Sequence, residues 1–447
     1  ITSPRSALAA LADPGSVAGV GPPLDRNALA RLLYFSAGVL RRKRSLSGEQ
    51  FFRAAACTGA LYHIDLYLVC AALPDLEAGV YHFGPHDFAL RRLRAGDHRA
   101  AVVDATAGEP AVAGAPALLL FTTTFWRNSW KYQARAYRHG FWDSGTILAN
   151  LLALSASVDL PARVVLGFVD TDLDRLLDLD PAREVTLGVV ALGRGAAPPA
   201  PAPSALPLGL TTLASSSREV DYPAIREAHA TSSLGTATEV ASWHGPLPPR
   251  GPVAPPEPLT PLAPLPVETA VREPVETVIL RRGSARRFSR EAVGLDVLST
   301  LVQAVTRGIP GDVNAPGGAL TDLYLIVHAV DGLAPGAYVY VRERDAFGLL
   351  RAGPFRREAG YLDLGQPLAA EAALNLYWLA DLDPILAQFG SRGYRAAQLE
   401  AAIEGGKAYL AAYALGLGAT GLTFFDDDVT AFFSPHERTV PVMVTTP

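Results

Sequence analysis

The sequence predicts an α+β chain in which one folding unit is written twice. Three observations lead there: segments recur at a fixed spacing, a proline-rich stretch separates the two sets, and each set reads as strands plus one long helix. Asp65-Leu66-Tyr67 returns as Asp322-Leu323-Tyr324, Gly79-Val80-Tyr81 as Gly336-Ala337-Tyr338, and Tyr137-Arg138 as Tyr394-Arg395, each 257 residues on. Gly59-Ala60-Leu61 and Gly318-Ala319-Leu320 precede the first pair, and Asp170 and Asp426 close the match. A constant offset over ~70 residues argues for duplication of a unit of roughly 180 residues, not for a solenoid.

In the first copy the pattern predicts a helix near Leu29 to Phe35, then strands at Leu61 to Cys70, Gly79 to Phe83 and Ala117 to Thr123. A long helix from about Arg135 to Ser155 follows, with Phe141, Leu148, Leu151 and Leu152 at helical spacing, and then a strand at Thr186 to Leu192. The second copy gives strands at Asp322 to Ala329, Ala337 to Val341 and Leu374 to Leu379, and a helix from about Tyr394 to Leu415. Between them, from roughly Gly195 to Val267, lie close to half of the 36 prolines. Proline breaks helix and sheet ladders, so this stretch reads as an extended linker, polyproline II in places. The piece from Tyr222 to His229 is weakly helical and is expected to dock on a domain surface. The expected domains are 1–195 and 268–447, with 196–267 as linker.

Composition bounds the function class. Of 447 residues 49% are hydrophobic and 19% charged, and the net charge is −5. This is an ordinary soluble balance that gives nucleic acid or an anionic membrane little to hold. No uninterrupted apolar run reaches bilayer length and no basic-then-apolar leader opens the chain, so a cytoplasmic protein is expected. Cys57 and Cys70 are the only cysteines, too few for a disulfide framework or a cysteine-rich zinc site. Among 39 basic residues only Lys43, Lys131 and Lys407 are lysine, which makes each worth a question.

The strongest local motif is Leu280-Arg281-Arg282-Gly283-Ser284-Ala285-Arg286-Arg287-Phe288. Guanidiniums and a hydroxyl converge on one turn beside a helix, and arginine forks match phosphate bidentately. On composition alone, a solvated basic turn explains it as well.

Arg282-Gly283-Ser284-Ala285-Arg286-x-Phe288 resembles the FMN-phosphate motif that opens the nitroreductase flavoprotein fold. The first half is similar to the SagB-type branch, which oxidises thiazolines and oxazolines in modified peptides. Ala56-Cys57-Thr58-Gly59-Ala60-Leu61-Tyr62-His63 stands where that branch has a Pro-Ser-Ala-Gly-Ala-Leu-Tyr-Pro segment, and Trp130-Lys131-Tyr132 precedes Tyr137-Arg138 as expected. Asp143-Ser144-Gly145, Leu166-Gly167-Phe168-x-Asp170, Gly393-Tyr394-Arg395 and Gly416 to Gly421 continue the match. The resemblance implies two nitroreductase-like domains in tandem, packed as an intramolecular pseudo-dimer. It also implies FMN held by Arg281, Arg282, Gly283, Ser284 and Arg286 with Gly421, Leu422 and Thr423 from one half, and by Cys57, Thr58, Gly59 and Ala60 from the other. Lys131 and Tyr132 are then the acid/base pair. The implied partners are a modified precursor peptide and a cyclodehydratase complex, in a monomeric pseudo-dimer or a higher assembly, with oxygen reoxidising the flavin. An NAD(P)H-dependent nitro or quinone reductase and a non-catalytic scaffold remain as alternatives.

The halves depart from the pattern in opposite ways. The first has no Arg-x-Ser-x-Arg turn, with Ser3-Pro4-Arg5-Ser6 the nearest thing, and Ala162-Arg163-Val164-Val165 lacks the small residues of Gly418-Ala419-Thr420-Gly421. The second places Gln388-Phe389 where the first has Lys131-Tyr132, and its Asn314-Ala315-Pro316-Gly317-Gly318 is shortened. One composite FMN site and one decayed site are expected.

Other residues read more plainly. Adjacent Lys131 and Tyr132 at a helix start cannot share one regular face, so both reach a cavity only if the segment is irregular; otherwise they are a surface lysine and a packing tyrosine. A lysine desolvated in an apolar pocket, or a tyrosine beside a cation, titrates nearer neutrality. Cys57 has no identifiable histidine partner and reads as a replacement for serine, and Cys70 as core. His63, His139 and His328 show no ligand spacing, so no metal is expected. Asp426-Asp427-Asp428 reads as a helix N-terminus with solvated carboxylates. Phe125, Trp126, Trp130 and Trp142 are core or flavin-wall aromatics.

Overall fold

The structure, a computed structural model, describes residues 3–13, 21–45, 48–245, 258–266, 272–313, 319–433 and 440–446. Each half builds an antiparallel sheet. The first runs Ala89–Ala95, Gly79–Gly84, Ile64–Cys70, Ala117–Thr124, Glu184–Leu192, Ala162–Val165 in spatial order. The second runs Thr420–Gly421, Val440–Thr446, Leu374–Ala380, Asp322–Val327, Gly336–Val341, Ala346–Ala352, Leu259–Pro261. The central strands of the first sheet are continuously apolar because both their faces are covered. Leu66, Leu68, Leu119 and Phe121 point into the main core, while Val69, Leu118 and Leu120 pack with Val102 and Leu173 of the outer helices Arg99–Ala105 and Asp170–Leu177.

Two long helices, Ala136–Ser157 and Arg392–Ala414, form the centre and are buried on nearly all sides. They cross through small residues. A Cβ on Gly145 would lie 2.3 Å from that of Ala402, and one on Gly406 2.6 Å from that of Ala149. Each glycine therefore faces the residue 257 positions away, which places a pseudo-twofold axis at the crossing. Trp142 Nε1 donates across it to Gln398 at 2.6 Å. The same symmetry sets two acid clamps. Asp170 of the first half binds Arg392 and Arg395 of the second at 2.6 and 2.7 Å, and Asp426 of the second binds Arg135 and Arg138 of the first at 2.8 and 2.6 Å. Asp426 does head a helix, Asp426–Phe433, but its carboxylate is paired rather than solvated.

Several expectations shift. The strand expected from Leu61 starts at Ile64, because residues 58–60 form a turn and Ala60 and Tyr62 adopt positive φ. The hairpin of Val39–Ser45 and Gly48–Arg53 was not anticipated. The stretch taken as an extended linker contains helices Pro223–Thr231 and Ala237–Trp243 and the strand Leu259–Pro261. No proline falls between residues 224 and 245; Pro223 sits in a first turn, where it is tolerated, and Thr236 with Glu239 forms a capping box. The expected docking of the Tyr222 to His229 piece is seen: Ile225 and His229 are buried, and the His229 carbonyl accepts from Arg395 at 2.7 Å. Among the described residues no helix is long and apolar enough to cross a membrane.

Candidate functional site

The turn at Cys57 to Ala60 is held by one carboxylate. Asp143, on the first long helix, accepts from Thr58 N–H at 2.9 Å, Thr58 Oγ1 at 2.7 Å and Cys57 Sγ at 3.0 Å, and its Oδ2 lies 2.8 Å from His63 Nε2. The histidine missing beside Cys57 in the sequence is thus His63, brought in through a shared acid. Burial and Asp143 push the Cys57 thiol well above its ordinary range, which makes it a protonated donor and not a nucleophile. The ligand atoms of Cys57, His63 and Asp143 lie within 4.8 Å of one another, a grouping the histidine spacing concealed. Each already has a hydrogen bond inside the group, so it serves as an anchor. The network continues from Thr58 to Asn128 at 3.1 Å and from Asn128 to His139 at 2.9 Å.

Lys131 and Tyr132 close over this turn. They lie in the last turn of the helix Trp126–Tyr132, not at a helix start, and Gln133 at φ 52° breaks the chain before the long helix begins. That break is the irregularity that lets both side chains reach one place. Gly59, at φ 58°, has no Cβ, and one built there would lie 2.8 Å from Tyr132 Oη and 3.1 Å from Lys131 Nζ. The lysine also lies 5.2 Å from the Tyr132 ring centroid, and His139 packs edge-on against that ring at 4.5 Å. Lys131 is exposed and not enclosed in an apolar pocket.

The arginine turn sits across the pseudo-dimer. Arg282 donates to the Ala54 carbonyl at 3.0 and 3.2 Å and lies over the Tyr409 ring. Among the described residues no carboxylate pairs with it. Arg281 points elsewhere, into a bidentate pair with Glu273 at 2.9 and 2.6 Å. Tyr409 ties the turn together: its hydroxyl lies 3.3 Å from Ser284 Oγ and accepts from Gly421 N–H. Gly283 faces Tyr413, with 3.4 Å from a Cβ built there to the hydroxyl. Arg286 is exposed, Leu422 buried, and the Thr423 carbonyl accepts from Gln366 at 3.5 Å. Arg41, from the unanticipated hairpin, donates to the carbonyls of Leu280, Arg281 and Arg282 at 2.7 to 3.4 Å, a cation on a helix C-terminus. Neither Tyr409 nor Arg41 had a sequence signal; Asp143 did, inside Asp143-Ser144-Gly145.

The site related by the pseudo-twofold is covered by the chain's own linker, with a small cavity left beneath, lined by Val164, Leu166, Asp312 and Glu400. Gln388 and Phe389 end the helix Leu382–Phe389, followed by Gly390 at φ 57°, as Lys131 and Tyr132 are followed by Gln133. On them sits the linker. Trp243 Nε1 donates to the Phe389 carbonyl at 2.9 Å with rings 5.5 Å apart, and a Cβ on Gly245 would strike Gln388. His244 lies against Gly167, 2.8 Å from where a Cβ would be. The N–H groups of Leu166 and Gly167 are taken by the Asp312 carboxylate at 2.8 to 2.9 Å. Arg5 pairs with Asp159 at 2.7 Å and Ser6 caps a helix, so the Ser3 to Ser6 piece forms no phosphate turn. Asn314 to Gly318 lies outside the described residues.

Residues 51–194 and 279–436 each match the nitroreductase family model. The chain belongs to the nitroreductase family. Members of this family typically bind flavin. Over 99% of this nitroreductase-family chain and 91% of its counterpart, the fold superposes on a solved "putative nitroreductase" from Anabaena variabilis with a TM-score of 0.78 at 24% identity. The match confirms two such domains in tandem. "Putative nitroreductase MJ1384" of Methanocaldococcus jannaschii is 23% identical over 172 residues, 38% of this chain and 82% of that one. Microcin B17-processing protein McbC of Escherichia coli is 26% identical over 128 residues, 27% of this chain and 47% of McbC, about half its length.

Proposed function

We propose that this nitroreductase-family protein is an FMN-dependent dehydrogenase that oxidises thiazoline or oxazoline rings to azoles in a ribosomally made peptide, with oxygen reoxidising the flavin. The observation that carries the reading is the convergence of Lys131 Nζ and Tyr132 Oη on Gly59, across the pseudo-dimer from Arg282, which no carboxylate neutralises among the described residues. The similarity to a microcin-processing protein supports it.

The residues present fit a flavin phosphate: Arg282 keeps donors free beyond its two bonds to Ala54, Ser284 stands beside it, and exposed Arg286 adds a second cation. Bound FMN supplies a hydride acceptor. The ring loses a proton from the carbon alpha to its C=N bond and a hydride from the adjacent carbon, so the chain must supply a base for the proton. The amine of Lys131 and the phenol of Tyr132 stand at one spot and take that role together, while Asp143 fixes the turn beneath them. The precursor peptide and a cyclodehydratase complex are the partners, in the cytoplasm.

The test is to offer an azoline-bearing peptide and, separately, NAD(P)H. Loss of two hydrogens per ring by mass spectrometry is expected, with only slow flavin reduction by NAD(P)H. No ring oxidation together with rapid reduction by NAD(P)H would replace this reading with a nitro or quinone reductase.

A further inference from the structure

The two sheets end on equivalent edge strands that differ in one respect. Ala89–Ala95 and Ala346–Ala352 are 257 residues apart, each follows a left-handed residue (Phe88 at φ 51°, Asp345 at φ 44°), and each carries its register shift at the same place, opposite Val80/Tyr81 and Ala337/Tyr338. The second edge is covered: the linker strand Leu259–Pro261 pairs antiparallel with residues 346–348, and Leu262 N–H donates to the Asp345 carbonyl at 2.8 Å. Along that edge residues 345 and 347 therefore turn main-chain groups outward, and their counterparts are Phe88 and Leu90. The first edge has no strand beside it among the described residues. At its far end Arg94 donates to the Leu176 and Leu206 carbonyls at 2.8 and 2.6 Å, and before its near end the Phe88 ring packs edge-on against Tyr34.

On the sheet face behind the open edge lies a cavity of about 790 Å³, lined by Arg91 and Leu93 of the edge strand and by Tyr67 and His82 of the strands inside it. Leu208, Leu210 and Leu213 of the linker wall its other side. The cavity also reaches Trp126, Arg127 and Ser129 of the short helix that ends in Lys131 and Tyr132. Arg91 and Arg92 are exposed and pair with exposed acids, Asp87 and Glu77, and such ion pairs yield readily to a competitor.

We propose that the outer edge of Ala89–Ala95 takes up an extended, acidic peptide segment as an added antiparallel strand, as the linker does on the equivalent edge of the other half. Main-chain pairing demands little of the peptide's sequence, the arginines favour acids, and the cavity behind the edge touches the helix that ends in Lys131 and Tyr132. That this peptide is the azoline substrate rests on the dehydrogenase reading; the pairing itself does not.

The experiment measures binding of a fluorescein-labelled peptide of alternating valine and aspartate, about eight residues long, by anisotropy. Leu90→Pro removes an outward N–H, a change an edge strand tolerates, and Leu90→Ala controls for lost packing. Saturable binding is expected in the wild type and in Leu90→Ala, weakened about tenfold in Leu90→Pro and in Arg91→Glu, with thermal melts by circular dichroism checking the fold. If Leu90→Pro melts early, Arg91→Glu alone decides the charge requirement. Absence of wild-type binding, or equal binding by Leu90→Ala, Leu90→Pro and Arg91→Glu, overturns the proposal. So does concentration-dependent dimerisation abolished by Leu90→Pro, which gives the edge to a second copy. Failure here leaves oxidation of a short azoline peptide intact, whereas failure of the dehydrogenase reading leaves this binding intact.

Discussion

Two pockets related by one pseudo-twofold axis have reached opposite ends. At the first, a lysine and a tyrosine lean over a glycine turn, and across the interface Arg282 has no carboxylate partner among the described residues. At the second, glutamine and phenylalanine hold the same positions before the same left-handed break, Trp243 packs on Phe389, His244 lies against Gly167, and Asp312 takes the backbone N–H groups. The fold therefore does not make the site. A duplicated chain needs its shared interface for stability, and on the proposed reading one site is free to lose its ligand while the other keeps it. The linker then supplies the buried surface that a ligand would have covered.

The largest effect should separate Lys131 and Tyr132 from their counterparts. Lys131→Ala and Tyr132→Phe should slow azoline oxidation ~10²–10⁴-fold with the protein still yellow, whereas Gln388→Ala should leave the rate unchanged. Equal losses on both sides would erase the distinction.

Next come the acid clamps. Asp170 and its two arginines are almost fully buried, so Asp170→Asn should cost ~3–5 kcal/mol in urea unfolding. Against the upward push of burial, Arg392 and Arg395 hold the Asp170 carboxyl down at about 2. Its folded pKa lies below the unfolded ~3.9, so the stabilisation is present above that value and is lost as pH falls through about 2. Wild type should lose its advantage over Asp170→Asn across that window, and an advantage that persists at the acid end would refute the assignment.

Arg282→Ala should weaken flavin ~10–100-fold in equilibrium dialysis, the worth of charge-assisted bonds to phosphate. Arg281→Ala should do less, because that guanidinium is already paired with Glu273. The smallest change belongs to Asp426→Asn, within ~1 kcal/mol, because this clamp is part-exposed to water. A loss matching that of Asp170→Asn would show that burial does not set the difference.

The duplication, seven central strands and both long helices were legible because repeated segments and apolar periodicity are local signals; the edge strands Ala89–Ala95 and Ala346–Ala352 were not. So was the family, from Arg282-Gly283-Ser284 and Trp130-Lys131-Tyr132. What escaped was assembled over distance. Asp143 reaches Cys57 and His63 through the fold, and neither spacing nor residue type pairs them beforehand. The linker misled for a different reason: its prolines flank a proline-free stretch whose Thr236 cap and Ile225, Val240 and Trp243 were enough to fold it onto the domains. That same stretch supplies the plug, so the misread segment is what distinguishes the two pockets.

The account's central claim, one site that keeps a phosphate arginine and one that has lost it, is tested most directly by releasing flavin from gently purified protein and counting it against chains. One FMN per chain is predicted, and one still in Trp243→Ala, since emptying the plug restores no phosphate arginines. Two per chain in the wild type, or none, would contradict it.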